Sequence, residues 1–488
     1  MRKKILFCRW GGAVAIDLDE VSSANSATLD FFLVKRLTEL GYDVDLCMTS
    51  KFTNDAVKSK KHDFYKYVDV IDAPLSTDEY SYIFILQGTT NYRFGGWKGI
   101  PTQLVTYRFM RTAKCPIFYV QYDANTQMHL PPCVRDHKDG AANSYFGCTI
   151  REMLNCNITI LSVGRNMQYY DKDDVGYRYV FDYVKFDHWK HDLHAIAIPI
   201  VKDYSLKVNE NPDNVIAFVG KDRVTGSKRG TISSIGNALV DADMSEYKVR
   251  VYGDWGKFLK DIQEKPQRVD NTEFCGKIKG LNNVLEAYNK AKFAILAHNE
   301  FNLELQQYTV RTFEVIAGGA VPLISKVWFE QWKDIFTEEY QKKLEELCFD
   351  EIEDIPGIIK NFDQKYPGEK RVEFINGMRE SLLTVLSDDY VNKELIRTLD
   401  DANKSLEFDH EKAAVDVLNR YMRFRTHHTL RRIREDAENL KARIIKDEYE
   451  IEHNLSEATK KMLPKIDTLF YFEFSEIGHD DLVKRFGR

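Results

Sequence analysis

The chain has 488 residues, 43% hydrophobic and 12% aromatic, enough apolar material for large cores in more than one domain. Its net charge of −6 excludes a generally cationic nucleic-acid binder, so any contact with nucleic acid has to use a local patch. No window is long and apolar enough to span a bilayer, and the eight cysteines show no C-x-x-C pair, which fits reduced thiols in a cytoplasmic compartment.

The start, MRKKILFCRWGG, has only a few apolar residues before Arg9 and reads as a first strand, not a signal peptide. The loop 9–14, RWGGAV, is not G-x-G-x-x-G, so the dinucleotide fingerprint is missing. Leu29, Phe32, Leu33 and Leu37 recur at helical spacing, predicting a helix over 22–40 that Gly41 stops. Strands follow at 43–48 and 82–86, the second leading into a polar loop, 87–99, that contains Gly95 and Gly96. A helix over 102–111 precedes a strand over 115–120, which runs into Gln121, Tyr122 and Asp123. Strands alternating with helices predict a parallel sheet covered on both faces. Ligands of such sheets sit at the carboxyl ends of the strands, and Asp123 lies at one such end.

Residues 159–163 and 195–200 read as further strands. Between them, His188, His191 and His194 invite a metal reading. Two successive spacings of three drift around a helix, and no acidic or cysteine partner stands by. A solvated or stacked segment is the better reading, and no residue is assigned to a metal. Residues 202–212 read as a linker.

A second alternating unit then begins with a strand at 215–219. The loop 220–230, GKDRVTGSKRG, carries four basic residues and is followed by a helix over 231–240. Strand, glycine-rich basic loop and helix make the geometry of an anion cradle, although the loop is not a Walker A sequence and a plain surface loop is the alternative. Strands follow at 248–252, at 272–276 with Lys277 and Ile278 beyond, and at 291–297; 349–354 would close this sheet. Helices are predicted over 371–386 and 389–406.

The most informative stretch is 306–324, QQYTVRTFEVIAGGAVPLI. A helix from about Tyr308 has Val310, Phe313, Val315 and Ile316 as its apolar stripe, and Gly318-Gly319 ends it before a buried strand, AVPLI. Arg311 and Glu314 lie three apart on another face. A guanidinium at a helix N-terminus suits phosphate, and a carboxylate one turn on accepts from ribose hydroxyls. Taken alone, the pair is better explained as a surface i,i+3 salt bridge.

The region beyond 406 differs in composition. Residues 420–434, RYMRFRTHHTLRRIR, hold six arginines and no acid, a candidate for contact with a nucleic-acid backbone; Arg93, Lys98, Arg108 and Arg111 are others. A solvated charged face is the alternative for each.

Two α/β units with phosphate-binding features only in the second is the layout of the GT-B glycosyltransferases. More narrowly, the sequence resembles the DNA β-glucosyltransferases of T-even bacteriophages. The resemblance is carried by DEYSYIFILQGTTNYRFGG, CPIFYVQYD, NVIAFVGKDR…KRG, VRVYGDW, EFCGKIKG and YTVRTFEVIAGGAVPLI, in that order, and ends near Leu406. It implies an α/β GT-B fold, two Rossmann-like domains facing across a cleft with an additional helical C-terminal extension. The units would be an acceptor domain over 1–203, a nucleotide-sugar domain over 204–385, a helix returning to the first domain over 386–406, and a charged extension over 407–488.

By position, the resemblance assigns Arg223, Arg229 and Arg311 to the diphosphate of a UDP-sugar, with Lys228 competing for the place of Arg229 because the loop is two residues longer. It gives Glu314 the ribose hydroxyls, the backbone of Ile278 the uracil edge, and Asp123 the role of general base. A cap at the strand end is the alternative for Asp123. The implied activity is inverting transfer to a hydroxymethylated pyrimidine in double-stranded DNA by a monomer without membrane contact. The sugar is not specified, and the sequence leaves open whether a divalent metal assists. A GT-B enzyme with a small-molecule or polysaccharide acceptor, and a non-catalytic DNA-binding relative, are the competing classes.

Overall fold

In the computed structural model, the described residues are 3–8, 25–47, 67–71, 74, 76–86, 113–121, 158–163, 193–197, 199–220, 244, 246–253, 272–278, 280–297 and 310–404. Asp123, Arg223, Arg229 and the helices over 102–111 and 231–240 lie outside them, as does everything beyond 404.

The first half forms a seven-stranded parallel sheet in the order β3-β2-β1-β4-β5-β6-β7. Its strands are β1 (Lys4–Cys8), β2 (Asp43–Cys47), β3 (Asp69–Ile71), β4 (Tyr80–Leu86), β5 (Ile117–Gln121), β6 (Ile158–Val163) and β7 (Leu193–Ile196). Helix α1 (Asn25–Glu39) buries Phe32, Leu33 and Leu37 and ends where Gly41 takes a positive φ of 90°. A near-continuous run of apolar residues, as in KILFC of β1, is what a strand buried on both faces requires.

A short helix, α2 (Val201–Tyr204), and an extended segment lead to the second sheet. This sheet has six parallel strands in the order β10-β9-β8-β11-β12-β13. They are β8 (Asp213–Val219), β9 (Lys248–Tyr252), β10 (Thr272–Gly276), β11 (Ala291–Leu296), β12 (Val321–Ser325) and β13 (Cys348–Phe349). The described helices are α3 (Leu281–Lys290), α4 (Val310–Gly318), α5 (Lys326–Trp332), α6 (Glu338–Glu345), α7 (Ile355–Lys365), α8 (Glu369–Val385) and α9 (Asp388–Lys404). Trp328 and Trp332 of α5 and Tyr288 of α3 are the bulkiest fully buried side chains of this half. In both sheets the first strand is central, and the order reverses beside it at the fourth strand.

Three expectations are corrected. The strand over 195–200 is shorter and earlier, and Ile200 instead precedes α2, whose Val201 is buried; the segment that follows is therefore anchored at its start. His194 lies within β7 and not in a separate segment. The closing strand over 349–354 shrinks to Cys348–Phe349, because the Asp354 carboxylate accepts from the backbone amides of Asp350 and Glu351 and turns the chain into a 3₁₀ turn, Ile352–Asp354.

Helix α9 runs back onto the first sheet. Asn403 Nδ2 donates to the Tyr82 hydroxyl at 2.8 Å, and Tyr82 packs against Tyr42 and Phe118. At the other end of α9, Asp388 accepts from Arg36 Nη2 of α1 at 2.6 Å and from Lys202 of α2. Beside this pair, Lys35 bridges to Asp203 at 2.8 Å. Arg36 is buried, so its charge relies on Asp388 and Glu39. Asp388→Ala is expected to lower unfolding free energy by about 1–3 kcal/mol, because it leaves a buried guanidinium half-paired. Urea denaturation checks this; an unchanged midpoint would mean that the ion pair contributes nothing to holding α9.

Candidate functional site

The strand order of the second sheet reverses between β8 and β11, and crevices of this kind receive ligands at the carboxyl ends of the strands. Gly220 and Ala297 stand at those ends. Arg311, in the first turn of α4, reaches back between them. Its Nη1 donates to the Ala297 carbonyl at 2.7 Å, and its guanidinium carbon lies 5.8 Å from the centre of the Phe218 ring. A Cβ added to Gly220 would sit 3.2 Å from Arg311 Nη2 and 3.2 Å from the Phe218 ring, so any larger residue there crowds the guanidinium.

One turn further along, Glu314 is only 5% exposed, and its Oε1 has no hydrogen-bond partner among the described residues. Burial pushes its pKa up to about 7, and the charge of Arg311 opposes that only in part. Among the described residues the two form no ion pair, so the surface salt bridge is not what the spacing encodes. The apolar stripe is also wider than predicted: apart from half-buried Arg311, every residue of α4 is buried, as expected of a helix packed on all sides. Gly318 permits this, since a Cβ there would come within 2.5 Å of Tyr288 Cβ on α3. The Tyr288 hydroxyl is buried too, burial drives its pKa upward, and the charge of Arg311 offsets part of that rise.

A buried carboxylate with a vacant oxygen is an acceptor for hydroxyl donors, and ionisation would make each such bond charge-assisted. A guanidinium that spends one of its five donors on a carbonyl retains others for an anion. The two together fit a ligand that carries hydroxyls and an anionic group about one helical turn apart.

Of the residues singled out in the sequence, Arg311 and Glu314 are thus brought to the switch point. Ile278 is half-buried two residues beyond the end of β10, on the same carboxyl edge but two strands from β8. Asp123 follows the last residue of β5 by two positions, and Arg223 and Arg229 follow β8; all three lie outside the described residues. So do Lys228, Arg93, Lys98, Arg108, Arg111 and the segment 420–434. Tyr288 escaped the sequence reading, as did Arg379 and Asn289 at the far end of α4, because nothing in their local patterns marks them. Among the described residues no group of three or more His, Cys, Asp and Glu is arranged to hold a metal ion, and no helix is long and apolar enough to cross a membrane.

No protein-family model and no curated protein matches the chain. Among solved structures it is similar to sucrose-phosphate synthase from Thermosynechococcus elongatus, at 12% identity and a TM-score of 0.52, over 82% of this chain and 100% of that one. An α-glucosyltransferase solved with UDP and a 13-mer DNA containing an HMU base aligns at 13% identity and a TM-score of 0.45, over 81% of this chain and 99% of that one. HepE from Anabaena, solved with UDP and glucose, aligns at 11% and 0.43, over 82% and 100%. The likeness to the first is one of fold. The chain has the GT-B fold, two parallel α/β domains of Rossmann-like strand order.

The state of Glu314 has a consequence for stability. Its folded pKa, about 7, lies above the ordinary carboxylate value of 4.5, so the neutral form is favoured in the folded chain. The stabilisation this gives is complete below the unfolded pKa and is lost as pH rises through 7. By linkage the loss approaches about 3 kcal/mol. Wild type is expected to lose stability between pH 5 and pH 8, and Glu314→Gln to lose less. Urea midpoints at the two pH values test it, and parallel curves for both proteins would show that Glu314 is not the group responsible.

Proposed function

We propose that this protein is an inverting glycosyltransferase that moves a sugar from a UDP-sugar to the hydroxyl of a 5-hydroxymethylated pyrimidine, hydroxymethylcytosine first, in double-stranded DNA. The observation that carries the donor half is the buried carboxyl group of Glu314, whose Oε1 has no partner among the described residues, one turn from the half-buried guanidinium of Arg311 at the switch point. The acceptor half is supported by the ordered resemblance of the sequence to DNA glucosyltransferases and by the arginine-rich segment 420–434.

In this reading the nucleotide-sugar domain, 204–385, binds UDP. Arg311 takes the diphosphate with Arg223 and Arg229 from the loop after β8, Glu314 accepts from the ribose hydroxyls, and the backbone at Ile278 meets the uracil edge. The acceptor domain, 1–203, supplies Asp123 as general base. The acceptor oxygen attacks the anomeric carbon, the glycosyl–phosphate bond breaks on the opposite face, the hydroxyl proton passes to Asp123, and UDP leaves with the bonding electron pair. Arginines on the departing diphosphate stabilise the charge that develops there. A base in a duplex reaches a cleft between two domains only by swinging out of the stack. The helix over 386–406 returns the chain to the acceptor domain, and 407–488 contribute basic contacts to the DNA backbone.

Incubating hydroxymethylated DNA with the protein and a panel of UDP-sugars, then analysing nucleosides by mass spectrometry, is expected to yield one glycosylated nucleoside. Transfer to free sugars or phenolic acceptors but not to DNA would favour a small-molecule enzyme. Arg311→Ala should weaken UDP binding by roughly 1.5–3 kcal/mol, the usual range for a charge-assisted phosphate contact. Calorimetry showing the same affinity as wild type would remove Arg311 from the donor site.

Asp123→Asn should abolish transfer and leave UDP affinity nearly unchanged, since the amide keeps the shape but cannot accept the proton. Near-native turnover in that variant would mean that a different group is the base.

A further inference from the structure

The carboxyl end of α4, opposite the candidate site, is held in an unusual way. Arg379 of α8 donates from Nε to the Ile316 carbonyl at 2.9 Å and from Nη2 to the Ala317 carbonyl at 2.7 Å. The backbone amide of Leu206 also donates to the Ala317 carbonyl, at 2.9 Å. Asn289 uses one amide group twice, donating to the Gly318 carbonyl at 2.8 Å and to the Lys207 carbonyl at 2.9 Å. The amide of Gly319 donates to the Val315 carbonyl at 3.1 Å, so the last four carbonyls of the helix all have donors. Gly319 has a φ of 85°, and a Cβ on it would lie 3.1 Å from Arg379 Nη2. The position thus demands glycine for its backbone and for the approach of the guanidinium.

Arg379 is largely removed from water, which brings its pKa down to about 10, and among the described residues it has no carboxylate partner. What stands in for a counter-ion is the negative end of the α4 dipole. Burying a cation without an acid is costly, and core packing alone would keep α4 in place against separation. Apolar contact is non-directional, however, and resists sliding or rotation of a helix poorly. Two fixed donors on consecutive carbonyls define both the rise and the rotation of the helix. The Ala317 carbonyl lies three residues beyond Glu314, and α4 has only nine residues, so a loosened end reaches Arg311 and Glu314 directly.

We infer that Arg379 is a positioning residue for the candidate donor site: by gripping the carboxyl end of α4 it sets where Glu314 and Arg311 stand at the switch point. The inference rests on the reading of α4 as the nucleotide-binding helix. A functional site of this type tolerates displacements of only about 0.5 Å. The neutral variant Arg379→Met removes both donors, whereas Arg379→Lys keeps the charge and hydrogen-bonding capacity but loses the rigid planar fork that fixes two carbonyls in register.

The test is calorimetric titration of the full-length protein with UDP, across pH 5.5–8.5, at a temperature where circular dichroism shows each variant folded. Arg379→Met is expected to weaken UDP at least ten-fold and Arg379→Lys by less. UDP affinity is expected to fall on acidification as Glu314 takes up a proton, and the pH of half-loss should move down in Arg379→Met, because a loosened α4 lets water reach Glu314. A purely structural role would lower melting temperature and leave that pH midpoint in place. Wild-type binding of UDP together with variant affinities within two-fold and an unmoved midpoint would overturn the inference. Should Arg379→Met not fold, Arg379→Lys decides: several-fold weaker binding supports the positioning role, and affinity within two-fold of wild type overturns it. Failure of wild type to bind UDP at all would instead defeat the donor-site reading on which the inference stands.

Discussion

The site depends on an ionisable carboxyl group kept out of water and, among the described residues, with no donor for one of its oxygens. Glu314 is tolerated there because α4 is apolar on nearly every side and wedged among β11, β12, α3 and α8. Burial of Phe313, Val315, Ile316 and Ala317 removes apolar surface from water, and that gain holds the helix in a position its carboxylate would not choose. Arg311 offsets part of the penalty through its charge. It does not satisfy the carboxylate, since its own fixed contact is with the Ala297 carbonyl. A hydroxyl-bearing ligand would supply a donor that the described residues do not, and a buried polar atom left without a partner in this way is a usual mark of function.

Strand order places that helix where it can matter. In both sheets the first strand is central and the chain changes direction beside it. Each domain therefore opens one crevice at its carboxyl edge, between β1 and β4 in the first and between β8 and β11 in the second. The Arg311 guanidinium lies across the second crevice, touching the ends of both strands that form it. The same edge carries the turn after β10 that leads to Ile278. Aromatic packing also supports this sheet, with Phe362 of α7 set edge-on to both Phe293 and Phe374.

The segment joining the domains is built into this core. Leu206 and Lys207 bond to the carboxyl end of α4 and to Asn289, Asn209 accepts from buried Arg371, and Asn209 in turn donates to the Asn289 carbonyl. Just before it, Lys202 shares Asp388 with Arg36, so the outgoing and returning crossings of the chain meet at one carboxylate. The relative placement of the domains thus draws on directional polar contacts at two points, in addition to apolar packing.

Much of the architecture is legible in the sequence because strand and helix periodicities are local properties. Apolar runs such as AKFAIL and KILFC, a four-residue helical spacing in α1 and the glycine that stops it suffice to read alternating strands and helices. The three-residue interval of Arg311 and Glu314 is likewise local, and it carried a nucleotide reading against a salt-bridge reading without deciding between them. Tertiary structure decided what those side chains meet. That Glu314 is buried, with one oxygen lacking a donor among the described residues, depends on the distant elements packed around α4, which the local pattern does not show. That Arg311 spends itself on Ala297 depends on the close approach of two strands more than seventy residues apart in sequence. Arg379 and Asn289 look like ordinary polar residues of amphipathic helices, and only the folded chain sets them against the end of α4. A sequence pattern fixes which face of an element is apolar, whereas the solvation and hydrogen bonding of a polar group depend on what distant segments bring to it.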